Sequence, residues 1–394
     1  KAFDGSRKTV IGEVDLPVKI GPSDFQITFQ VMDIHPAYSC LLGRPWIYEA
    51  EAVMSTLHQK LKFVKNIKHS AEEIAKFDSV ASQFQFRKDI ILSELKDAGF
   101  NINEINAIVG RGGLVKPIES GVYEVNEALI NDLNNPPLGE HASNLGGLIA
   151  NDIAKSLNNG TKAYIADPVV VDELQEVARL TGHPDFTRVS IFHALNQKAI
   201  ARTYAKEIGK KYEDINLIIA HLGGGVSVGA HDHGRVIDVN NALDGDGPFS
   251  PERSGSLPTG QLVKLCFSGK KTEAEIKKML KGAGGLVAYL GTNDAYEVEI
   301  KAKEDPKYKL VQDAMSYQVG KAIGETAGAC GQAVTDGILL TGGIAHNPFL
   351  VDYVKEMVGF IAPIKVYAGE DEMRALAMNG LMVLRGELSG KIYK

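Results

Sequence analysis

The chain has 394 residues, of which 44% are apolar and 23% charged, and a formal net charge of -6. This is ordinary composition for a soluble globular protein with room for two or three domains. The acidic balance argues against a general nucleic-acid binder, which carries a basic face. No apolar stretch reaches the ~18 residues of a membrane span, and no signal peptide is visible. Cys40, Cys266 and Cys330 are far apart, without a CxxC or metal spacing. They read as reduced, buried thiols of a cytoplasmic protein. The chain begins at Lys1 rather than Met, which reads as a fragment or a processed product.

The first 66 residues alternate with a period of two, over Thr9-Val10-Ile11-Gly12-Glu13-Val14-Asp15-Leu16-Pro17-Val18-Lys19-Ile20-Gly21 and again over Phe25-Gln26-Ile27-Thr28-Phe29-Gln30-Val31-Met32. Gly, Pro and Ser-Asp punctuation makes these hairpins of a small β unit. The single Trp follows in Leu41-Leu42-Gly43-Arg44-Pro45-Trp46-Ile47. From about Lys68 the pattern turns helical. Ser70-Ala71-Glu72-Glu73 is an N-cap with carboxylates in the first turn. Strands and amphipathic helices then alternate to the C-terminus, as in an α/β protein.

Two strand–glycine-turn elements stand out in that region. The first is Leu217-Ile218-Ile219-Ala220-His221-Leu222-Gly223-Gly224-Gly225-Val226-Ser227-Val228, and the second is Gly337-Ile338-Leu339-Leu340-Thr341-Gly342-Gly343-Ile344-Ala345-His346-Asn347-Pro348. Each is an apolar run suited to a buried strand. Each breaks at glycines, which let backbone N–H groups approach a phosphate. Two such turns suggest a nucleotide gripped from both sides, although glycines also serve ordinary tight turns. The first turn continues into a hairpin, with Val226–Ala230 and Arg235–Val239 flanking His231-Asp232-His233-Gly234. The second runs into a helix, with Asn347 as N-cap and Pro348 in its first turn. A helix start after a Gly pair holds an anion or an adenosine group, and the same chemistry begins many plain helices.

Isolated polar residues lie between these elements. Arg111 sits in Ile108-Val109-Gly110-Arg111-Gly112-Gly113, and Arg253 in the stiff loop Pro248-Phe249-Ser250-Pro251-Glu252-Arg253-Ser254-Gly255. Such arginines can clamp phosphoryl or carboxylate oxygens, though a lone Arg more often forms a surface ion pair. His193 begins a helix, where a neutral imidazole could face a substrate; a satisfied core histidine is the commoner case. Asp167 follows Ala163-Tyr164-Ile165-Ala166 at a strand end, where α/β sites are built. A Walker A loop is absent: Phe267-Ser268-Gly269-Lys270-Lys271-Thr272 has Lys264 where the leading Gly belongs. No GxGxxG opens a helix in a Rossmann setting.

Two resemblances follow from these strings. Ser39-Cys40-Leu41-Leu42-Gly43-Arg44-Pro45-Trp46 resembles the apolar-apolar-Gly-Arg motif late in a retroelement aspartic protease, and Ala2-Phe3-Asp4-Gly5-Ser6 resembles its opening. The catalytic Asp-Thr/Ser-Gly is missing, so residues 1–66 read as a partial retropepsin-like β segment. Such a half-domain has no carboxylate to offer a facing pair, and no protease activity is expected.

From about residue 67 onward the chain resembles the acetate/butyrate kinase family, and within it the butyrate kinases. The carriers are Ile108-Val109-Gly110-Arg111-Gly112-Gly113-Leu114, Ser120-Gly121-Val122-Tyr123-Glu124-Val125, His221-Leu222-Gly223-Gly224-Gly225 and Leu340-Thr341-Gly342-Gly343-Ile344. The resemblance implies an α/β, two-domain actin-like ATPase fold, shared with sugar kinases and heat-shock ATPases. The expected limits are 67–168 plus 373–394 for one domain, whose first hairpin is missing, and 169–372 for the nucleotide-binding domain.

The resemblance also implies the reaction of ATP with butyrate to give ADP and butyryl phosphate, with Mg²⁺, in a homo-oligomer with no nucleic-acid or membrane partner. It gives Arg111 and Arg253 the neutralising of the carboxylate and phosphoryl charges, His193 the equatorial oxygens, and Asp167 the orienting of substrate or metal. His221, Gly223, Gly224 and Gly225 would cradle phosphates. Asp294, Gly342, Gly343 and Asn347 would serve the adenosine side, and Glu372 or its neighbour Asp371 would reach Mg²⁺ through water. The attacking carboxylate is already ionised, so positioning and charge neutralisation suffice.

The family's Asn-Pro-Gly-Ser-Thr-Ser-type turn is not found before His69-Ser70-Ala71. Its loss is expected to expose a sheet edge and to weaken the kinase. The alternatives are an inactive chimera, a retroelement-derived fragment, and an actin-like ATPase without acyl specificity. An ATPase that binds no carboxylate has less use for both Arg111 and Arg253.

Overall fold

Alternating apolar residues on both faces explain the strands, and buried stripes place the helices. The computed structural model describes residues 10–20, 23–32, 52–55, 60–63, 67, 69–330, 335–370 and 372–394. The chain divides into two compact units, 1–102 and 103–394, whereas its sequence character changes near residue 66.

The first unit holds two hairpins. β1 (Val10–Ile20) pairs antiparallel with β2 (Ser23–Met32), from Val10↔Met32 to Ile20↔Ser23. β3 (Ala52–Ser55) pairs antiparallel with β4 (Lys60–Phe63). The Leu41-Leu42-Gly43-Arg44-Pro45-Trp46 string, Asp4-Gly5-Ser6 and Cys40 lie outside the described residues. A helix at Phe84–Asp97 follows a short one at Ala71–Ile74. The expected cap at Ser70 is present: its Oγ accepts from the Glu73 N–H, and Glu73 accepts from the Ser70 N–H.

The second unit contains two sheets. The first uses β5 (Ala107–Arg111), β6 (Val122–Glu124) and β7 (Lys162–Ala166). The second uses β8 (Asn216–Leu222), β9 (Val226–Asp232), β10 (Arg235–Val239), β11 (Gly337–Gly342) and β12 (Ile364–Ala368). The C-terminal β13 (Lys391–Ile392) returns to the first sheet. Its order is β13-β6-β7-β5, and that of the second is β10-β9-β8-β11-β12. β5 runs parallel to β7, and β8, β11 and β12 run parallel to one another.

β8 shows why its run of apolar residues is continuous. Ile218, Ala220 and Leu222 face a core with the helices Pro306–Ala329 and Pro348–Val358. Leu217 and Ile219 face Ala201 and Ala205 of the helix Ala194–Glu207. In β7, Ala163 and Ile165 pack with Leu129, Leu133, Ala150 and Ala154, while Tyr164 and Ala166 pack with Leu195, Ala375 and Leu376. The helix Glu372–Leu384 thus caps the first sheet, and Leu195 of the Ala194–Glu207 helix shares its core with that helix. The parallel strands of both sheets end at the residues singled out in the sequence. Arg111 is in register with Ala166, next to Asp167, and Thr341 with His221.

Candidate active site

Arg111 closes β5, and its Nη1 lies 3.2 Å from Glu372 Oε2 at the start of the Glu372–Leu384 helix. Arg111, Gly112, Asp167, Pro168, His193 and Glu372 line one narrow cavity of about 10 Å³, about the room of one water molecule. Asp167 is buried and adopts a left-handed φ of +37°. Its Oδ1 accepts from Ser120 Oγ (2.6 Å) and from the Gly121 N–H (2.8 Å), and its Oδ2 lies 3.5 Å from Arg202 Nη1. An Asp tolerates this conformation better than most residues. Strain held by several partners at a cleft is a mark of functional sites.

The imidazole of His193 stacks on that of His221, with centroids 3.8 Å apart and planes 12° from parallel. Its Nδ1 lies 2.8 Å from Ser227 Oγ. Burial holds His193 well below the usual histidine range, and the neighbouring His221 and the charges of Arg253 and Arg111 add to that. It is therefore a neutral ring at neutral pH. His221 Nε2 lies 3.1 Å from Glu370 Oε1, and its Nδ1 lies 2.9 Å from Asn196 Oδ1. The hydrogen bond from His221 lowers the Glu370 carboxyl below its ordinary range. Glu370 thus accepts from His221 Nε2–H.

The glycine turn earns its composition at one atom. A Cβ on Gly225 would lie 2.0 Å from Arg253 Nη1, so the guanidinium occupies the space a side chain would need. Arg253 also donates to the Ala242 carbonyl, and burial pushes its guanidinium down. Gly224 faces open space, and so does Gly343 across the neighbouring strand. Gly342 has φ +91°, and a Cβ there would meet the Leu222 carbonyl at 2.3 Å. Its N–H donates to the Gly369 carbonyl at 3.2 Å, and Gly369 donates back at 2.9 Å. This ties the second turn to the residue before Glu370.

Arg111, Asp167, His193, His221, Gly225, Arg253 and Glu372 are thus brought into one neighbourhood. Asp294 and Asn347 have local work. Asp294 caps the helix Ala295–Lys301, accepting from the Tyr296 and Glu297 N–H groups. Asn347 caps Pro348–Val358 through Leu350, and its Nδ2 donates to Gln312 Oε1 at 3.2 Å. Asp371 lies outside the described residues. Cys330 is buried as expected, but Cys266 is exposed, because Thr259–Cys266 is a helix with no buried residue.

The sequence reading missed three groups. Burial lowers the pKa of His141, with Lys281, Arg111 and Arg253 adding to it, so His141 feels both site arginines. Burial likewise lowers Lys281, whose backbone bridges Arg253. Glu370 is the third. The Pro136-Pro137-Leu138-Gly139 turn before His141 is the one local signal that could have pointed to it.

Residues 186–367 match the Acetokinase family. Butyrate kinase 1 of Clostridium acetobutylicum is 56% identical over 337 residues, covering 85% of this chain and 94% of that protein. A probable butyrate kinase of Bacteroides thetaiotaomicron is 54% identical over 334 residues, covering 84% and 93%. The chain belongs to the acetokinase family. Among solved structures, Porphyromonas gingivalis acetate kinase is similar with a TM-score of 0.66 at 21% identity, over 76% of this chain and 84% of that one. A propionate kinase from Francisella tularensis gives 0.61 at 19% identity, over 83% and 88%. The two α/β sheets with glycine turns at their parallel strand ends are thus those of an actin-like ATPase fold. No helix among the described residues is long and apolar enough to cross a membrane.

Proposed function

We propose that this chain transfers the γ-phosphoryl group of ATP to the carboxylate of butyrate, giving ADP and butyryl phosphate. The observation that carries the reading is 56% identity with a butyrate kinase across 94% of that protein's length. The site chemistry supports it. Two anions must meet, and Arg111 and Arg253, whose charges both reach His193, would offset their repulsion. His193, a neutral donor, would steady the equatorial oxygens of the group in flight. Asp167 would orient the acid or the metal, and the turns at Gly224 and Gly343, open where a side chain would sit, would offer backbone N–H groups to phosphate and adenosine. Asp294 and Asn347 would act on the adenosine side by fixing the helix starts that border it.

No cluster of three metal-ligating side chains occurs among the described residues, so the Glu372 carboxylate on the cleft wall, shared with Arg111, would fit a Mg²⁺ held chiefly by ATP and water. Glu372, or its neighbour Asp371, would reach it through water, and the ion would supply further charge neutralisation. A homo-oligomer in the cytoplasm is the expected setting. The retropepsin-like strings within residues 1–66 support a relic without protease activity. The family's phosphate-binding turn does not occur before His69, so turnover below that of a butyrate kinase is expected.

Hydroxylamine trapping of acyl phosphate, with Mg-ATP and butyrate or acetate, tests the reading. Signal with butyrate above acetate is the expected result. ATP hydrolysis indifferent to either acid would overturn it in favour of a plain ATPase.

A further inference from the structure

Behind His193 lies a line of buried polar side chains that the reaction does not require. Tyr212, His231, Gln197 and Ser227 are each buried, three of them with no exposed surface at all. Their contacts run in sequence. Tyr212 Oη lies 2.6 Å from His231 Nδ1, and His231 Nε2 lies 2.8 Å from Gln197 Oε1. Gln197 Nε2 lies 2.8 Å from Ser227 Oγ, and Ser227 Oγ lies 2.8 Å from His193 Nδ1.

One contact fixes the direction of the whole line. Gln197 Nε2 also lies 3.2 Å from the Ser227 carbonyl. A carbonyl only accepts, so the amide NH₂ must face Ser227 and the amide oxygen must face His231. An amide oxygen only accepts as well, so His231 carries its proton on Nε2. Burial keeps His231 neutral, helped by Lys198 and Arg202. Its Nδ1 therefore has a free lone pair, which takes the Tyr212 O–H. At the other end, Ser227 Oγ already accepts from Gln197. It also accepts from the His193 backbone N–H at 3.5 Å, which fills its second lone pair, so its own proton points to His193 Nδ1. A donor on Ser227 requires an unprotonated Nδ1, so the His193 proton is on Nε2.

We propose that the buried relay Tyr212–His231–Gln197–Ser227 holds His193 in the tautomer that carries its proton on Nε2 and presents that N–H to the cleft. The relay consists of positioning residues. Resting on the acyl kinase reading, the exposed N–H is the donor for a phosphoryl oxygen. In the other tautomer a lone pair would face that oxygen and repel it. Gly229 belongs to the same device, because a Cβ there would lie 2.8 Å from Gln197 Oε1.

The test is long-range proton–nitrogen correlation spectroscopy on the full chain with ¹⁵N-labelled histidine, the His193 signal being assigned by its loss in His193→Gln. The expected result is a proton-bearing Nε2 and a bare Nδ1 in the wild type. A proton on Nδ1, or signals averaged between the two forms, would overturn the proposal. In Ser227→Ala the signals should become averaged, with kcat lowered roughly tenfold or more and KM little changed. A Ser227→Ala protein that keeps a fixed Nε2 proton would show that something else holds the ring. If Ser227→Ala does not fold, the wild-type spectrum still decides, and Gly229→Ala crowds the same amide. The spectrum needs no turnover. An Nε2 proton with no acyl phosphate formed would sink the kinase reading alone, and acyl phosphate with an Nδ1 proton would sink the relay alone.

Discussion

The two sheets of the second unit use the same sequence device with different enclosure. β8 lies between β9 and β11, and all seven of its residues are buried. β5 ends the other sheet, paired with β7 alone among the described residues, and all five of its residues are half-buried. Both strands end in glycines that carry a site residue. The end of β8 has a full sheet around it, and its His221 side chain is 1% exposed. Arg111 at the end of β5 has 42% of its side chain exposed and leans on Glu372. The two strands end alike in glycines, while the neighbours of each strand decide how dry its end is. Dryness matters, because charge stabilisation is worth far more where water is excluded.

The enclosed side can be broken at one atom. Gly225→Ala places a methyl group where Arg253 Nη1 now sits. The guanidinium must move, and the loss of one positioned donor costs roughly 10²–10³-fold in kcat. Stability should also fall, by about 1–3 kcal/mol, because the added methyl overpacks a buried site and disturbs the Arg253 bond to the Ala242 carbonyl, although no positive φ is strained. Steady-state kinetics beside thermal melting would check this, and kcat within twofold of wild type would remove Arg253 from the reaction.

A smaller effect compares the strands themselves. Ile219 in β8 has no exposed surface, and Ile219→Ala should cost about 2–5 kcal/mol. Val109 in β5 is half-buried, so Val109→Ala should cost about 1 kcal/mol, half or less of a full Val burial. Urea unfolding measures both. Equal costs would mean that β5 is as well enclosed as β8, and the contrast would fail.

Much of this was legible because it is local. Apolar runs ending in glycine gave β8 and β11, and Asn347-Pro348 gave the start of a helix. The expected hairpin is present, but its turn is shorter than the four residues His231–Gly234: β9 runs on through Asp232, and His233-Gly234 alone turns it into β10 with φ values of +45° and +83°. What stayed hidden depends on partners distant in sequence. Nothing near Glu370 signals its contact with His221, and nothing near Gln197 signals that its two amide ends meet Ser227 and His231. His141 sits 112 residues from Arg253 in sequence and feels its charge only in the folded chain. Burial and long-range pairing create these properties, and neither is written in a local string.

The same long-range burial predicts how the enclosed side responds to acid. His193 and His231 both have pKa values held well below the ordinary 6.5. Above pH ~6.5 both rings are neutral in the folded and unfolded states alike, so neither changes stability with pH. As pH falls through ~6.5 the unfolded chain takes up protons that the folded chain refuses. Stability then drops by up to about 1.4 kcal/mol per pH unit for each ring, and the drop continues until the depressed folded values are reached. Carboxylates add their own slope lower down, so the wild type alone cannot isolate the histidines. His231→Gln removes one ring and should reduce the slope between pH 6.5 and 5 by about 1.4 kcal/mol per unit. Urea unfolding of both proteins across that window is the measurement. An unchanged slope would mean that His231 takes a proton inside the fold, and the drier character assigned to the five-stranded side would then be wrong.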